Sequence, residues 1–207
     1  MRPSADGHYG AGMAHAGQVI ENPVSGERIV FRRTAEETQG HLMEFDLFLR
    51  PDGKVPGSHV HPVLEERFRV LAGEVRFRLG RRSVTAHSGD VLTVPPSTVH
   101  RFANVDGKPA HVRVEVTPAM RMEQLLETAA TLAREGRTLP NGLPRPLDFA
   151  LFLREFEPEV GVPFAPRWLV HALTAPLAWI GRRLGLNRRY QAADDGGDAD
   201  RSRPVAA

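Results

Sequence analysis

Two histidines stand one residue apart at positions 59 and 61, and two carboxylates follow at positions 65 and 66. Side chains alternate between faces along an extended chain, so His59 and His61 point to the same side. Glu66 lies five residues beyond His61, an odd offset that would turn it to the opposite side of a regular strand. Pro62 interrupts that strand because it has no N–H to donate, and a loop there returns Glu66 to the histidine side. Two imidazoles and a carboxylate on one short segment are candidate ligands of a metal ion.

A second segment, residues 89–104, contains the apolar run Val91–Val94, which stops at Pro95 and Pro96. Proline cannot donate to a strand ladder, so the pair ends the strand that the apolar run predicts. The chain then reaches a lone histidine, His100. This segment therefore brings a further imidazole to the end of a turn.

Together the two segments resemble the paired motifs of the cupin superfamily, G(X)5HXH(X)3-4E(X)6G and G(X)5PXG(X)2H(X)3N. The positions that fit the first motif are Gly53, His59, His61, Glu66 and Gly73. Those that fit the second are Gly89, Pro95, His100 and Asn104. The gap before the closing glycine selects Glu66 over Glu65, and Ser97 stands where the family has a glycine, at a turn residue that holds no ligand. The resemblance covers residues 27–117.

The resemblance implies a metal site made by His59, His61, Glu66 and His100. Three imidazoles and a carboxylate leave one or two positions open on a divalent ion, as catalytic sites do and closed structural sites do not. Nitrogen and oxygen ligands suit Fe(II), Mn(II), Ni(II), Cu(II) and Zn(II) alike. Two chemistries follow: activation of dioxygen beside a bound enolate or phenolate, and polarisation of a carbonyl for isomerisation or elimination. In the dioxygenase-like interpretation, Glu66 is also the catalytic base that deprotonates the substrate.

The composition excludes several other kinds of site. The 207 residues include no cysteine, so disulfides, thiolate ligands and a cysteine nucleophile are excluded. The formal net charge is only +2, and arginines are interleaved with acidic residues. With no basic stripe or recognition helix, nucleic-acid binding is not expected. Residues 1–18 lack the apolar segment of a signal peptide, so a cytoplasmic location is expected.

Short alternating segments predict the elements that position these residues. Residues 41–50, 74–79 and 111–116 each place apolar side chains on one face and charged ones on the other. A turn signal between Val19 and Phe31 predicts a hairpin. Many short strands with Gly and Pro between them, and no intervening helix, predict an all-β fold, an antiparallel jelly-roll β-barrel. Opposite charges on its outer surface are expected to pair across neighbouring strands.

Strand parity also predicts what lines the barrel interior. Phe68 shares parity with Glu66, and Phe102 shares it with His100, so both rings are expected beside the metal. The four residues expected to form an apolar substrate pocket are Phe45, Phe68, Phe77 and Phe102. Such a pocket suits a small aromatic or lipophilic molecule, and the alternative is that the four rings only fill the core. Five other histidines, expected at the surface, are His8, His15, His41, His87 and His111.

After the barrel the sequence predicts a C-terminal α-helical extension. Apolar residues at helical spacing predict helices over 120–134, 147–156 and 168–186, the last interrupted by Pro176. The expected organisation is a disordered tail over 1–18, the barrel over 19–118, the helical extension over 119–190 and a second disordered tail over 191–207.

The last apolar stretch ends in Arg182 and Arg183, which also fits an anchor on a membrane surface, although the stretch is too short to span a bilayer. A helical appendage packed on the barrel exterior or on a partner subunit is the simpler interpretation, so membrane binding is not expected. The family resemblance further implies a homodimer.

Two functions remain open at this point. The first is a mononuclear metal-dependent enzyme, dioxygenase-like or an isomerase or lyase, that acts on a small and largely apolar organic molecule. The second is a module that binds a small ligand or a metal without catalysis and contacts a partner through its helical tail. The complete set of four ligands favours the enzyme, and the long tail favours the module.

Overall fold

The computed structural model describes residues 14–187 and residue 190. His8 and the predicted tail over 191–207 lie outside the described residues, as does most of the tail over 1–18. Its last residues are hydrogen-bonded to the body of the protein, because Gly17 N–H donates to Phe31 O at 2.8 Å and Phe31 N–H donates to Gln18 O at 3.0 Å. The chain is therefore attached to its neighbours from Gly17 onward.

In the described part of the chain, the strands come first and the helices follow. The strands are β1 (Val19–Asn22), β2 (Glu27–Arg33), β3 (Met43–Leu49), β4 (Glu65–Ala72), β5 (Glu74–Leu79), β6 (Arg82–His87), β7 (Val91–Val94), β8 (His100–Asn104) and β9 (Ala110–Thr117). The helices are α1 (Met122–Arg134), α2 (Pro146–Glu155) and α3 (Arg167–Arg183). The fold is thus mostly β with a helical C-terminal part, as predicted.

The strands pair in two antiparallel sheets. One has six strands in the order β1-β2-β3-β9-β4-β7, and the other has three in the order β6-β5-β8. Within residues 14–187, strand pairing does not join the two sheets into one continuous ladder. The antiparallel β fold is therefore confirmed, whereas the closed barrel stays a prediction.

Alternation along the strands builds the core. In β9, buried residues alternate with half-buried ones, and β4 alternates buried with exposed residues from Glu65 to Val70. Val114 pairs with Phe45 on one side and with Phe68 on the other, so apolar side chains meet across three neighbouring strands. Residues of this interior with no exposed surface include Phe31, Met43, Leu49, Val75, Phe77, Val114 and Val116.

The predicted hairpin between Val19 and Phe31 is confirmed. β1 and β2 pair in an antiparallel register that places Asn22 opposite Glu27. The side chain of Asn22 stabilises the turn, because its Oδ1 accepts hydrogen bonds from the Val24 and Ser25 N–H groups at 3.1 Å each. The hairpin thereby holds Asn22 and Glu27 side by side at one end of the six-stranded sheet.

The outer face of this sheet differs from the exposed charged surface that alternation predicts. Asp46 is fully buried, although its parity places it on the outer side. Its carboxylate is covered by Arg32 at 2.5 Å, Arg113 at 3.0 Å and His111 at 3.1 Å. Burial alone would raise the pKa of Asp46, but hydrogen bonds from Arg113 and Arg32 lower it. His111, expected at the surface, also stacks on Phe48 with ring centroids 4.3 Å apart.

The three helices lie within a few residues of their predicted bounds, but α3 runs through Pro176 without the predicted interruption. Proline removes one hydrogen bond, which leaves the carbonyl four residues earlier, on Ala172, without its helical partner. Pro176 and Ala172 are both exposed, so water can bond that carbonyl. No helix in the described residues is long and apolar enough to cross a membrane.

The turn between β4 and β5 requires glycine at position 73 for two reasons. Gly73 has a φ of +77°, and a Cβ added there would lie 2.9 Å from the Cα of Ala110. Gly80 also has a positive φ, of +55°, but a Cβ there would meet nothing within 4 Å. Of these two glycines, Gly73 combines a positive φ with a close backbone contact, whereas Gly80 has the positive φ alone.

We therefore expect Gly73→Ala to lower the free energy of unfolding more than Gly80→Ala, by about 1 to 3 kcal/mol. Both variants carry the cost of a side chain at positive φ, so the difference between them isolates the contact with Ala110. Urea unfolding of the wild type and both variants measures it. Equal losses of stability would contradict the contact.

Candidate metal centre

The backbone around the two predicted motifs is held together by direct hydrogen bonds. His59 N–H donates to His100 O at 3.0 Å, and His100 N–H donates back to His59 O at 2.9 Å. This isolated antiparallel bridge places the segment before β4 beside the first residue of β8. The two motifs, far apart in sequence, thus bring their histidines to one place.

The turn that carries Ser97 supports the same loop. Ser97 N–H donates to His61 O at 2.7 Å, and its hydroxyl donates to Pro62 O at 3.3 Å. Ser97 has a φ of +62°, a conformation that favours glycine, and these bonds hold the serine in it. The regular strand resumes only at Glu65, so the chain bends after His61 as predicted and returns Glu66 to the histidine side.

The four predicted ligands converge on one point. One ligand atom from each of His59, His61, Glu66 and His100 lies within 4.8 Å of the others. Glu66 Oε2 is 2.8 Å from His100 Nε2 and 3.4 Å from His61 Nε2. His61, Glu66 and His100 are buried, whereas His59 is partly exposed. The four residues that the resemblance implies as ligands therefore lie together, and their role in metal binding stays a prediction.

Hydrogen bonds on the far side of two rings determine which nitrogen faces the centre. His61 Nδ1 lies 2.5 Å from Glu159 O, and His100 Nδ1 lies 3.0 Å from Thr98 O. A carbonyl oxygen only accepts, so each Nδ1 carries the hydrogen and donates. In a neutral ring the lone pair is then on Nε2, which is the arrangement of a histidine that binds a metal.

The donor atoms fit a metal ion. Among the described residues, His61 Nε2, Glu66 Oε2 and His100 Nε2 are buried atoms without a hydrogen-bond partner outside the cluster. Buried polar atoms are nearly always paired, so three such atoms at one point need a common partner. Two nitrogen lone pairs face a carboxylate, and a positive charge between them, either a proton or a metal ion, satisfies all three. Three imidazoles and one carboxylate form a donor set that divalent transition metals accept.

The same contacts shift the pKa values of the cluster. The His59 ring is partly exposed, but surrounding protein atoms keep much of the water away from it, and His100 and His61 add to this effect. The pKa of His59 is thereby lowered to about 3, so this ring is neutral at neutral pH. Burial would lower the pKa of His61, but the Glu66 carboxylate outweighs it and raises that pKa. Burial would raise the pKa of Glu66, yet His61 and His100 hold it well below its usual value. Glu66 is therefore ionised at neutral pH, as a ligand must be.

A cavity of about 380 Å³ opens beside this cluster. His59, His61 and Glu66 form part of its wall. Most of the remaining wall is apolar, as in typical sites for small organic ligands. Three of the four candidate ligands thus border a space large enough for a small molecule.

The predicted aromatic residues divide into two groups. Phe45, Phe68 and Phe102 line the cavity. Phe77 is fully buried and does not line it; its ring packs against Phe68 at 5.0 Å and Phe102 at 5.9 Å between centroids. The rings of Phe68 and Phe102 therefore separate Phe77 from the cavity.

Sequence reasoning missed two polar residues of the cavity wall, Asn22 and Glu27. Glu27 Oε2 accepts a hydrogen bond from the Ser25 hydroxyl at 2.5 Å. Burial against the apolar wall outweighs this bond and raises the pKa of Glu27 to about 7. The only signal in the sequence was the hairpin turn that pairs these two residues, and a turn does not predict a cavity.

The helical extension is the larger omission, because the sequence predicts it on the barrel exterior or on a partner subunit and not in the cavity wall. Met122 and Leu125 of α1 and Phe149 and Phe152 of α2 form part of the cavity wall. The extension also contacts the cluster of candidate ligands through its backbone, because His61 Nδ1 donates a hydrogen bond to Glu159 O. Apolar spacing predicts that a helix buries one face, but it does not say against which surface.

The loop between α2 and α3 pairs with the segment between the two clustered histidines. Gly161 N–H donates to Val60 O at 2.8 Å, and Val60 N–H donates to Gly161 O at 3.2 Å. A Cβ on Gly161 would lie 3.2 Å from Val60 Cγ1, so the two backbones approach closely. Gly161 thus forms an isolated antiparallel bridge with the residue between the two histidines.

Comparison with known families agrees with this site. Residues 47–117 match the family described as Cupin domain. They include all four converging residues and both motifs. The match covers 71 of the 207 residues, so it assigns this segment of the chain, about one third of it, to the cupin domain family. No curated protein matches the sequence significantly.

Similar solved structures include three from bacteria. A conserved protein with a double-stranded beta-helix domain from Klebsiella pneumoniae is 19% identical over 49% of this chain and 84% of its own, with a TM-score of 0.43. A predicted oxalate decarboxylase from Thermotoga maritima is 20% identical over 50% and 92%, with a TM-score of 0.45. A sugar phosphate isomerase of a cupin superfamily from Silicibacter pomeroyi is 21% identical over 45% and 60%, with a TM-score of 0.40. Such distant similarities carry no inference about substrate or reaction.

We expect His100→Ala to weaken Zn(II) or Ni(II) binding by more than the roughly tenfold to hundredfold that losing an outer partner of a metal ligand costs. The substitution removes a donor atom that no neighbouring side chain replaces. Isothermal titration calorimetry of the metal-free protein measures the affinity. His87→Ala, at an exposed position away from the cluster, is the matched control and should bind like the wild type. Equal affinities for all three proteins would contradict the site.

Glu27 should make stability depend on pH in a defined direction. Its pKa of about 7 in the folded protein lies above the ordinary value of 4.5, so its contribution to stability is present at low pH and is lost as the pH rises through 7. Glu27→Gln should therefore gain stability relative to the wild type between about pH 5 and pH 8 in urea unfolding. The exposed Glu36→Gln serves as control. A difference between wild type and Glu27→Gln that does not change with pH would refute the shift.

Proposed function

We propose that this protein is a mononuclear metal-dependent enzyme that acts on a small, largely apolar organic molecule. The observation that carries the proposal is a single cavity whose wall contains both candidate ligands and aromatic rings: His59, His61 and Glu66 share it with Phe45 and Phe68. A structural metal site would be enclosed by protein ligands, whereas this cluster borders a space of about 380 Å³. A divalent ion held there would activate dioxygen or polarise a carbonyl group of the substrate.

Glu66 is the group that we assign to proton transfer. Burial raises its pKa less than His61 and His100 lower it, so the carboxylate is ionised. The reason for the assignment is position, because Glu66 borders the cavity in which an enol or phenol would be bound. Phe68 and Phe102 border the same cavity and would hold a flat or lipophilic substrate beside that oxygen. Their apolar rings keep water out and so strengthen the electrostatic interactions of the site.

A second polar position in the cavity wall, away from the candidate ligands, restricts the kind of substrate that fits. Asn22 and Glu27 border the same cavity from the β1–β2 hairpin, and β2 is three strands away from β4, which carries Glu66. Ile29 and Leu47 line the wall on β2 and β3. Because polar groups lie at two separated positions on an apolar wall, the cavity suits a molecule with an apolar body and a hydrogen-bonding group away from its reacting end.

A second candidate function is a binding module without catalysis. The observation that favours it is the bridge between Val60 and Gly161, since a ligand that moves the histidine pair would also move the loop between α2 and α3. In that case the helical extension would pass the signal to a partner. Isomerisation or elimination remains the alternative chemistry for the enzyme, and the homodimer and the cytoplasmic location stay predictions.

The enzyme proposal predicts oxygen uptake. The protein is loaded with Fe(II) under argon, mixed with flavonols, diketones or catechols, and exposed to oxygen, which an electrode follows. We expect uptake with at least one compound class, and we expect Glu66→Gln to reduce it by about a hundredfold or more, the usual effect of losing a general base. The neighbouring Glu65→Gln is the matched control, because Glu65 is exposed and lies outside the cluster. Tight binding of one compound with no oxygen uptake and no other product would favour the binding module.

A further inference from the structure

Helix α3 buries small residues and exposes most of its largest apolar residues, although Leu177 packs partly against the core. Thr174, Ala178 and Gly181 are its buried residues. A Cβ on Gly181 would lie 2.9 Å from Leu151 Cδ1 of α2, so the small residues allow close packing of the two helices. A surface helix of a globular protein normally shows the reverse arrangement, with its large apolar side chains facing the core.

The outward side chains form a continuous apolar face, which we call the α3 outer face. Its largest members, between 58% and 92% exposed, are Phe164, Trp168, Leu173, Trp179 and Leu184. Ile180, also exposed, lies between the last two. Trp168 and Trp179 are three turns apart on the same side of the helix, about 16 Å along its axis. An exposed apolar surface of this extent marks an interaction site.

The charges around the α3 outer face are positive. α3 contains Arg167, Arg182 and Arg183 but no Asp or Glu. Among the described residues, neither Arg182 nor Arg183 has a carboxylate within 4.0 Å, and the Arg183 guanidinium lies over the Trp179 ring at 5.2 Å from its centroid. Arg167 is the exception, since it pairs with Glu157 at 2.7 Å. The exposed C-terminal end of the helix therefore combines aromatic surface with two arginines that have no carboxylate partner among residues 14–187.

We propose that the α3 outer face binds the surface of an anionic lipid bilayer, with α3 lying in the plane of the interface. Tryptophan, phenylalanine and leucine side chains enter the boundary between headgroups and acyl chains, and arginines reach the lipid phosphates. Helices that lie on membranes combine these features, and they do not need the length that spanning requires. This proposal is independent of the reaction assigned to the metal centre.

A second copy of the chain is a poorer partner for the same face. In a two-fold contact the face meets itself, so Arg182 and Arg183 of each copy approach a helix α3 that contains no Asp or Glu. Glu157, the acidic residue beside the start of α3, already pairs with Arg167 and His171. Anionic lipid supplies the missing negative charge together with the apolar phase, so charge complementarity favours the bilayer.

The two tryptophans of the α3 outer face are the only ones in the chain, so intrinsic fluorescence reports on this face alone. The purified full-length protein is mixed with vesicles of phosphatidylcholine, with or without a quarter of phosphatidylglycerol. On the anionic vesicles we expect a blue shift of the emission, protection from acrylamide quenching and co-sedimentation. On the neutral vesicles we expect binding at least tenfold weaker, and added salt should reduce the difference.

Variants separate the apolar and electrostatic contributions while both tryptophans remain. The pair Leu173→Ser and Leu184→Ser should weaken partitioning at least tenfold on anionic vesicles. The pair Arg182→Gln and Arg183→Gln should weaken it on anionic vesicles and leave binding to neutral ones unchanged. A matched control replaces Val63 and Val91, which are also exposed but lie outside α3, with serine and should bind like the wild type. Circular dichroism verifies that each variant is folded.

Two results would overturn the proposal. The first is no partitioning at any content of anionic lipid while the protein is folded. The second is a protein that is dimeric by light scattering in the absence of lipid, with tryptophans already protected from acrylamide, because a second copy would then cover the face. Metal binding and oxygen uptake do not enter this test, so its failure leaves the function of the cupin site unaffected.

Discussion

The close approach of four electron-rich side chains is the constraint on which the rest of this structure depends. Glu66 Oε2 and His100 Nε2 lie 2.8 Å apart in a buried place, and neither has a hydrogen-bond partner outside the cluster among the described residues. Such an arrangement is costly unless a positive charge lies between the groups. The backbone bridge between His59 and His100 and the bonds to Glu159 O and Thr98 O hold the rings in this position. Without a bound cation, the cluster therefore lowers the stability of the folded protein, and the same arrangement makes it suited to binding a cation.

Much of this was predictable from the sequence because it depends on local chain geometry. Strand parity places His59 beside His61, and the break at Pro62 returns Glu66 to the same side. Alternation likewise predicted β5 to the residue. Alternation does not predict whether neighbouring side chains cover a residue. Asp46 lies on the outer side of the sheet by parity, yet Arg32, Arg113 and His111 bury it. Parity assigns a side chain to a face of the sheet, whereas burial depends on the length of its neighbours.

Prediction of the helices from the sequence is limited in the same way. Periodicity predicted their existence and approximate bounds, but the surface against which each helix packs is a property of the tertiary structure. α1 and α2 complete the wall of the cavity, and residues 159–161 bond to the histidine segment. α3 packs on α2 through small residues and leaves most of its largest ones outside. The polar residues of the cavity were missed for the same reason, because Asn22 and Glu27 come from a hairpin distant in sequence from both motifs.

The bridge between Val60 and Gly161 has a consequence for how the polypeptide is divided into modules. The segment that the family shares ends at residue 117, whereas the backbone that holds the histidine pair continues to residue 161. A fragment cut at the family boundary would keep all four donor side chains. It would lose one hydrogen-bonded edge of their loop and the helical side of the cavity. The stretch of chain that builds the site is therefore longer than the segment that matches the family. Transplanting the site into another protein requires the longer stretch.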